Sequence, residues 1–229
     1  MLVSRNDILR FMEEGTIVID PFDEKNLGNS SYDVTLGPYY YRETQPECIL
    51  YRTSKTPIYN MYDKKDVRRV WGSKHLEAKS LASHNMKLEN IEPTDQVIWL
   101  DPGESILAHT QEFVGGRIDV NTEMKARSSM GRNFITVCRC AGWGDVGYIN
   151  RWTMEITNNS RFHHIPLVVG RRVAQITFSK VAEIENNHSY EQKSDSKYQT
   201  ETDLEKLQEQ WSPEQMIPRM WLDREINQN

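Results

Sequence analysis

The sequence predicts a mainly β chain, an antiparallel barrel or sandwich of short strands with a few short helices. Three observations predict it. Apolar and polar residues alternate over many short runs, as half-buried strands require. Pro, Gly, Asn and Asp punctuate those runs as turn residues. No helical period long enough for a parallel crossover separates them, which disfavours an α/β sheet.

The elements follow in order. "SRNDILRFMEEG", Ser4 to Gly15, sets Ile8, Leu9, Phe11 and Met12 at helical spacing behind a Ser4 or Asn6 cap, with Gly15 as the stop. "TIVIDPF" and "SSYDVTLGPYYYR" read as strands broken by Pro21 and polar turn residues. From about Glu43 to Glu92 charge and scattered aromatics show no sustained period, so loops and short elements are expected between strands. "QVIWLDPGESILAHTQEFV" reads as a hairpin turning at Pro102-Gly103. "IDVNTEMKARSS", "NFITVCRCA", "RWTMEITN" and "IPLVVGRRVAQITFSKV" continue the strand pattern. Beyond Glu183 the chain is polar, which predicts a domain over 1–183 and a tail over 184–229 with one helix at Leu204–Trp211.

Composition removes several classes of function. With 28 basic and 33 acidic side chains the formal charge is −5, so no excess of positive charge is present to neutralise a nucleic-acid backbone. A small phosphorylated ligand needs only a few local cations and remains open. Cys48, Cys138 and Cys140 form no even-numbered framework, and neither a secretory leader nor an apolar run of spanning length is found, so a cytoplasmic protein with free thiols and no membrane partner is expected.

Two stretches carry chemistry. "KARSSMGR", Lys125 to Arg132, places Ser128 and Ser129 between Arg127 and Arg132, with Gly131 relaxing the backbone. Such a group can wrap a phosphate through charge-assisted and N–H hydrogen bonds, or it can be an exposed polar turn. "AGWGDVGYINRWTMEITN" contains two acids, Asp145 and Glu155. Alternation sends Thr153 and Glu155 to one face and Trp152, Met154 and Ile156 to the other, leaving Glu155 facing a cavity or solvent. Cys138 and Cys140 have no matching second pair, and no H-x-E with P-C-x-x-C occurs, so a zinc deaminase site is not encoded. In the tail, Tyr190 and Lys197 belong either to a disordered terminus or to a lid that orders over a ligand.

The ordered set "SYDVTLG", "LDPGESILAHT", "RSSMGR", "AGWGDVGY", "TMEITN", "GRRVAQITF" and "Y…KY" resembles the dCTP deaminase family, part of the superfamily that includes trimeric dUTPases. The resemblance runs from about Ser4 to Gln199 and leaves out the insert near 43–92 and the last thirty or so residues. It implies a distorted dUTPase-like barrel or jelly roll, a homotrimer with sites between subunits, deoxycytidine and deoxyuridine nucleotides as ligands, and Mg2+ carried by the triphosphate rather than zinc. It also implies roles. Arg127, Ser128, Ser129, Met130, Gly131 and Arg132 bind the triphosphate, and Asp145 meets the sugar. Thr153, Met154 and Glu155 line the base, with Glu155 catalytic, and Tyr190 and Lys197 close over the phosphates. Ala141, Tyr148, Gln175 and Glu201 complete the nucleotide contacts. "AGxxDxG" followed by an aromatic, with Gln175, is similar to the dUMP-forming members. Cys140, Gly144, Asn150 and Glu201 depart from the usual pattern. The implied reaction is metal-independent deamination of dCTP to dUTP, continuing to dUMP in a bifunctional enzyme. A dUTP pyrophosphatase and a non-catalytic nucleotide-binding regulator are the rival classes.

Overall fold

The computed structural model describes residues 1–44, 58–182, 199, 201 and 203–226. Its first element is helix α1 (Arg5–Glu13), whose N-cap Ser4 accepts a hydrogen bond from Asp7 N and whose Ile8 and Phe11 are buried. Gly15, at φ +74, ends that turn. Among the described residues twelve strands follow: β1 (Ile17–Asp20), β2 (Tyr32–Arg42), β3 (Leu76–Glu77), β4 (Lys79–Ser80), β5 (Gln96–Leu100), β6 (Ser105–Gly116), β7 (Val120–Ala126), β8 (Ile135–Thr136), β9 (Trp143–Gly144), β10 (Ile149–Asn158), β11 (Ile165–Val168) and β12 (Arg172–Lys180). Three further α-helices among the described residues are short: α2 (Lys64–Trp71), α3 (Ser128–Arg132) and α4 (Leu204–Gln210).

The strands form two antiparallel sheets. The larger runs β8-β10-β6-β2-β12-β7-β9, with β1 added to β6 and β3 to β2, and the smaller is β11-β5-β4. The main core joins them: Ile98 and Leu100 from the small sheet pack with Ile106, Ala108, Met154, Ile156 and Phe178 from the large one. The mainly β architecture is as predicted.

Three local expectations change. Pro102-Gly103 is not a hairpin turn, because β5 pairs with β11 and β4 while β6 pairs with β10, β2 and β1. The alternation on both sides is genuine, yet the turn carries the chain from one sheet to the other, and Gly103 N instead donates to Asn158 O at 2.9 Å. "IPLVVGRRVAQITF" likewise divides between sheets at Gly170, whose φ is +79. "NFITVCRCA" keeps only Ile135–Thr136 as strand, and Arg139 and Cys140 take φ of 35 and 69, which a strand cannot hold.

The two segments outside the resemblance also carry structure. The insert contains α2, whose Val67 is fully buried. The polar tail was expected to lack core residues, but Leu207, Met216 and Ile217 are buried against the large sheet. Their spacing is too sparse to announce a core, and the sheet supplies the rest of the apolar surface. Residues 183–198, with Tyr190 and Lys197, lie outside the described residues, as does Cys48.

Candidate active site

The site is built on β10. Its alternation holds as read: Trp152, Met154 and Ile156 are buried in the main core, and Thr153 and Glu155 stand on the other face, half-buried. The pairing with β6 sets Thr153 opposite His109 and Glu155 opposite Leu107, and β2 sets Tyr41 opposite Leu107. Directly paired residues of antiparallel strands point to one side, so Tyr41, Leu107 and Glu155 form a row across three strands. Glu155 Oε2 is buried without a hydrogen-bond partner among the described residues. Burial pushes its carboxyl above the usual carboxylate range, against the smaller pull of its own backbone and of the Arg139 guanidinium.

Arg139 is held beside it. Its Nε donates to Thr157 Oγ1 at 3.1 Å and its terminal nitrogen to Ser105 Oγ. Sequence reading gave Arg139 no role; its left-handed backbone, which brings it back over β10, has no signature in the residue itself.

The Arg-Ser-Ser stretch is helix α3 rather than an extended turn. Arg127 is its N-cap in extended conformation. Ser128, Ser129, Gly131 and Arg132 are exposed, while Arg127 and Met130 are half-buried. Asp33 of β2 pairs with both Arg127 Nε at 3.2 Å and Arg172 at 3.0 Å. Gln175 sits in the same ladder, opposite Asp33 on one side and Lys125 on the other. A cavity of about 680 Å3 opens here, lined by Arg127, Met130, Arg172, Gln111, Thr35 and Glu112 among others. Glu112 is 3% exposed, and its carboxylate accepts from Thr35 N at 3.0 Å and Thr35 Oγ1 at 2.7 Å. Burial raises its carboxyl as well. Glu155 does not line this cavity, so the structure does not bring the Arg-Ser-Ser helix and Glu155 into one pocket of a single chain.

The remaining expected contacts fall as follows. Asp145 Oδ1 accepts from Trp143 Nε1 at 3.0 Å, and Tyr148 meets Trp152 edge-to-face at 5.5 Å. Ala141 is exposed. Met154 is 0% exposed in the core, so its side chain cannot line a base and only its backbone is available to a ligand. Glu201 was expected at the nucleotide, but its carboxylate turns to the start of α4, accepting from Asp203 N at 3.1 Å and lying 3.7 Å from Lys206 Nζ. Gln199, missed by sequence reading, is buried and ties this region to β10: its Oε1 accepts from Ile149 N at 2.7 Å and its Nε2 donates to Gly147 O at 3.0 Å.

A model of the dCTP deaminase-like family matches residues 2–181. The chain belongs to that family. Its relatives include a Methanobrevibacter smithii protein named dCTP deaminase, dUMP-forming, 30% identical over 201 residues that cover 86% of this chain and 89% of that one. A protein of the same name from Methanosphaera stadtmanae is 30% identical over 202 residues, covering 88% and 90%. Among solved structures, 2'-deoxycytidine 5'-triphosphate deaminase from Agrobacterium tumefaciens aligns with a TM-score of 0.52 at 18% identity, spanning 78% of this chain and 48% of that one, a likeness of fold. In this dCTP deaminase-like chain the family match ends at residue 181, so α4 and the residues after it lie beyond the matched part. Among the described residues no helix is long and apolar enough to cross a membrane.

Proposed function

We propose that this chain deaminates dCTP, with Glu155 as the residue that moves the protons. The observation that carries the reading is the Glu155 carboxyl, on the face of β10 away from the main core: raised by burial, and with Oε2 unsatisfied among the described residues. A carboxyl raised toward neutrality can both accept and return a proton. Water adds to C4 of the cytosine while Glu155 takes one of its protons and delivers it to N3. The second proton then passes by way of Glu155 to the amino group, the C4–N bond breaks, ammonia leaves and the C4 carbonyl forms. Arg139 tempers the charge on Glu155 between these steps, and Thr153 beside it faces the base.

The names of the relatives support continuation to dUMP and diphosphate. Asp145 is the residue we assign to the sugar and to the water of that second step. The α3 residues Arg127, Ser128, Ser129, Gly131 and Arg132 take the triphosphate, with Tyr190 and Lys197 assigned to its closure and Gln175, Tyr148 and Ala141 to its surroundings. Because α3 and Glu155 belong to separate parts of the chain surface, we assign the complete site to a subunit boundary of a homotrimer. Among the described residues no three His, Cys, Asp or Glu side chains stand close enough to hold a metal by themselves. Magnesium carried by the triphosphate would supply charge neutralisation at the phosphates. The protein is assigned to the cytoplasm, acting on free nucleotides.

The test is incubation with dCTP, dUTP and magnesium, with ammonia measured and products separated by chromatography. Ammonia together with dUTP or dUMP from dCTP is expected. Diphosphate from dUTP with no ammonia from dCTP would assign the site to a dUTP pyrophosphatase. Tight nucleotide binding with no turnover would assign it to a non-catalytic regulator.

A further inference from the structure

The C-terminal residues beyond the family match trace the same face of the sheet that carries Glu155. The path starts where Gln199 bonds Ile149 at the beginning of β10. Leu207 of α4 then packs on Phe113 and Ile149. Trp211 follows, with the Arg151 guanidinium over its ring at 4.6 Å and the His109 ring at 4.6 Å. Met216 and Ile217 end the path against Leu107 and Tyr41, the two residues in row with Glu155. The insert joins at the same place: Val67 and Trp71 of α2 belong to that cluster, and Arg68 pairs with Glu214 at 3.2 Å.

His109 is the hinge of this packing. It is fully buried and lies opposite Thr153. Its Nδ1 meets Thr110 O at 2.8 Å and its Nε2 accepts from Tyr39 N at 3.3 Å, which assigns the neutral tautomer with the proton on Nδ1. Tyr39 stacks on the same ring at 5.8 Å. Arg151 contacts a second ring as well, its guanidinium lying 5.1 Å from the Phe113 centroid. Trp211 therefore holds the cross-strand partner of Thr153 and the residue two positions before Thr153, and lies on the side of both strands away from the main core.

We infer that this C-terminal strap is the fixed wall beside Glu155, and that Trp211 is a positioning residue which sets Thr153 and Glu155 through His109 and Arg151. The inference rests on the deaminase reading of Glu155. It explains how a segment too polar for a core of its own can serve the reaction: it needs only a few apolar residues, placed over the residues of the working face. A displacement of the β10 face by a fraction of an ångström is enough to misalign a proton transfer.

The experiment compares the full-length chain with Trp211→Leu, which stays apolar but is smaller and has no ring, and Trp211→Phe, which keeps a stacking ring. Ammonia release is measured over a range of dCTP concentrations with magnesium, and folding is checked by circular dichroism and melting. Trp211→Leu is expected to lose about tenfold or more in kcat with KM changed by less than about threefold, because alignment rather than triphosphate binding is lost. Trp211→Phe is expected to regain most of that loss. A folded Trp211→Leu chain with the wild-type kcat overturns the inference, as does a folded Trp211→Phe chain impaired as deeply as Trp211→Leu. Should Trp211→Leu not fold, Trp211→Phe alone decides, a wild-type rate supporting the ring's role and a folded but impaired chain opposing it. If neither variant folds, Trp211 is a structural core residue and the positioning role falls. Absence of ammonia from the wild-type chain overturns the deaminase reading itself and this inference with it.

Discussion

Glu155→Gln separates chemistry from stability because the two should move in opposite directions. The amide is nearly isosteric with the carboxyl, so Leu107 and the β10 pairing are undisturbed. It cannot carry a proton between water, N3 and the leaving amine. General acid–base catalysis contributes about 100- to 10,000-fold, or roughly 2.7–5.5 kcal/mol at 1.36 kcal/mol per decade, and a loss of at least that size in ammonia release is expected. For stability the sign follows from the raised carboxyl. Between the ordinary carboxylate pKa and the raised one, the folded chain holds a proton at Glu155 that the unfolded chain has lost. The stabilisation from that protonated group is complete below the ordinary value and disappears as pH rises through the raised one. The Gln variant has no such dependence, so its advantage over wild type should grow with pH across that window, by no more than about 1.4 kcal/mol per pH unit, and then level off. Urea unfolding of both chains over a pH series, with Glu112 and every other group common to both, measures the difference. Substantial residual deamination by the variant, or a stability difference that does not change with pH, would refute the reasoning.

Other outcomes follow from the same geometry. A Cβ added at Gly37 would enter the His109 ring, which is held at both nitrogens, so Gly37→Ala should lose about 1–3 kcal/mol or more in urea unfolding. His109 has its pKa lowered to about 4, chiefly by burial, with Arg151 and His75 adding to it. The stability this neutral imidazole contributes is present above the ordinary His pKa and is lost as pH falls toward 4, so a His109→Gln chain should show a shallower acid limb than wild type between about pH 6.5 and 4. If Arg132 takes the triphosphate as proposed, Arg132→Ala removes a charge-assisted contact worth about 1.5–3 kcal/mol and should raise KM for dCTP by about ten- to a hundredfold or more. Mixed assemblies of Arg132→Ala and Glu155→Gln chains, assayed at dCTP concentrations where neither chain alone turns over measurably, should regain activity if α3 and Glu155 meet across a subunit boundary; verified mixed assemblies with no recovery would place each site within one chain.

Local pattern alone determined the β class, the helix α1 with its Gly15 stop, and the two faces of β10, since each depends only on the side-chain period and on residues a few positions apart; the choice of Ser4 over Asn6 as the cap came from the structure. The reading of Glu155 as set apart from Met154 belongs here, because alternation cannot place adjacent residues on one face. Tertiary structure alone decided which strands are partners. The runs flanking Pro102-Gly103 alternate as a hairpin would, but β5 and β6 each find better-matched edges in different sheets, and nothing within nineteen residues of sequence records that choice. The same holds for the burial of Glu155. Its carboxyl is raised by what stands around it, including a row through Leu107 and Tyr41 that register on β6 and β2 assembles. The last helix was legible as a helix, yet its purpose was not. Leu207, Trp211, Met216 and Ile217 are too few to make a core, and they bury only because the sheet presents a complementary apolar surface more than fifty positions earlier in the chain. Apolar burial has no direction and no sequence range, so a sparse segment acquires its role only from the surface it meets.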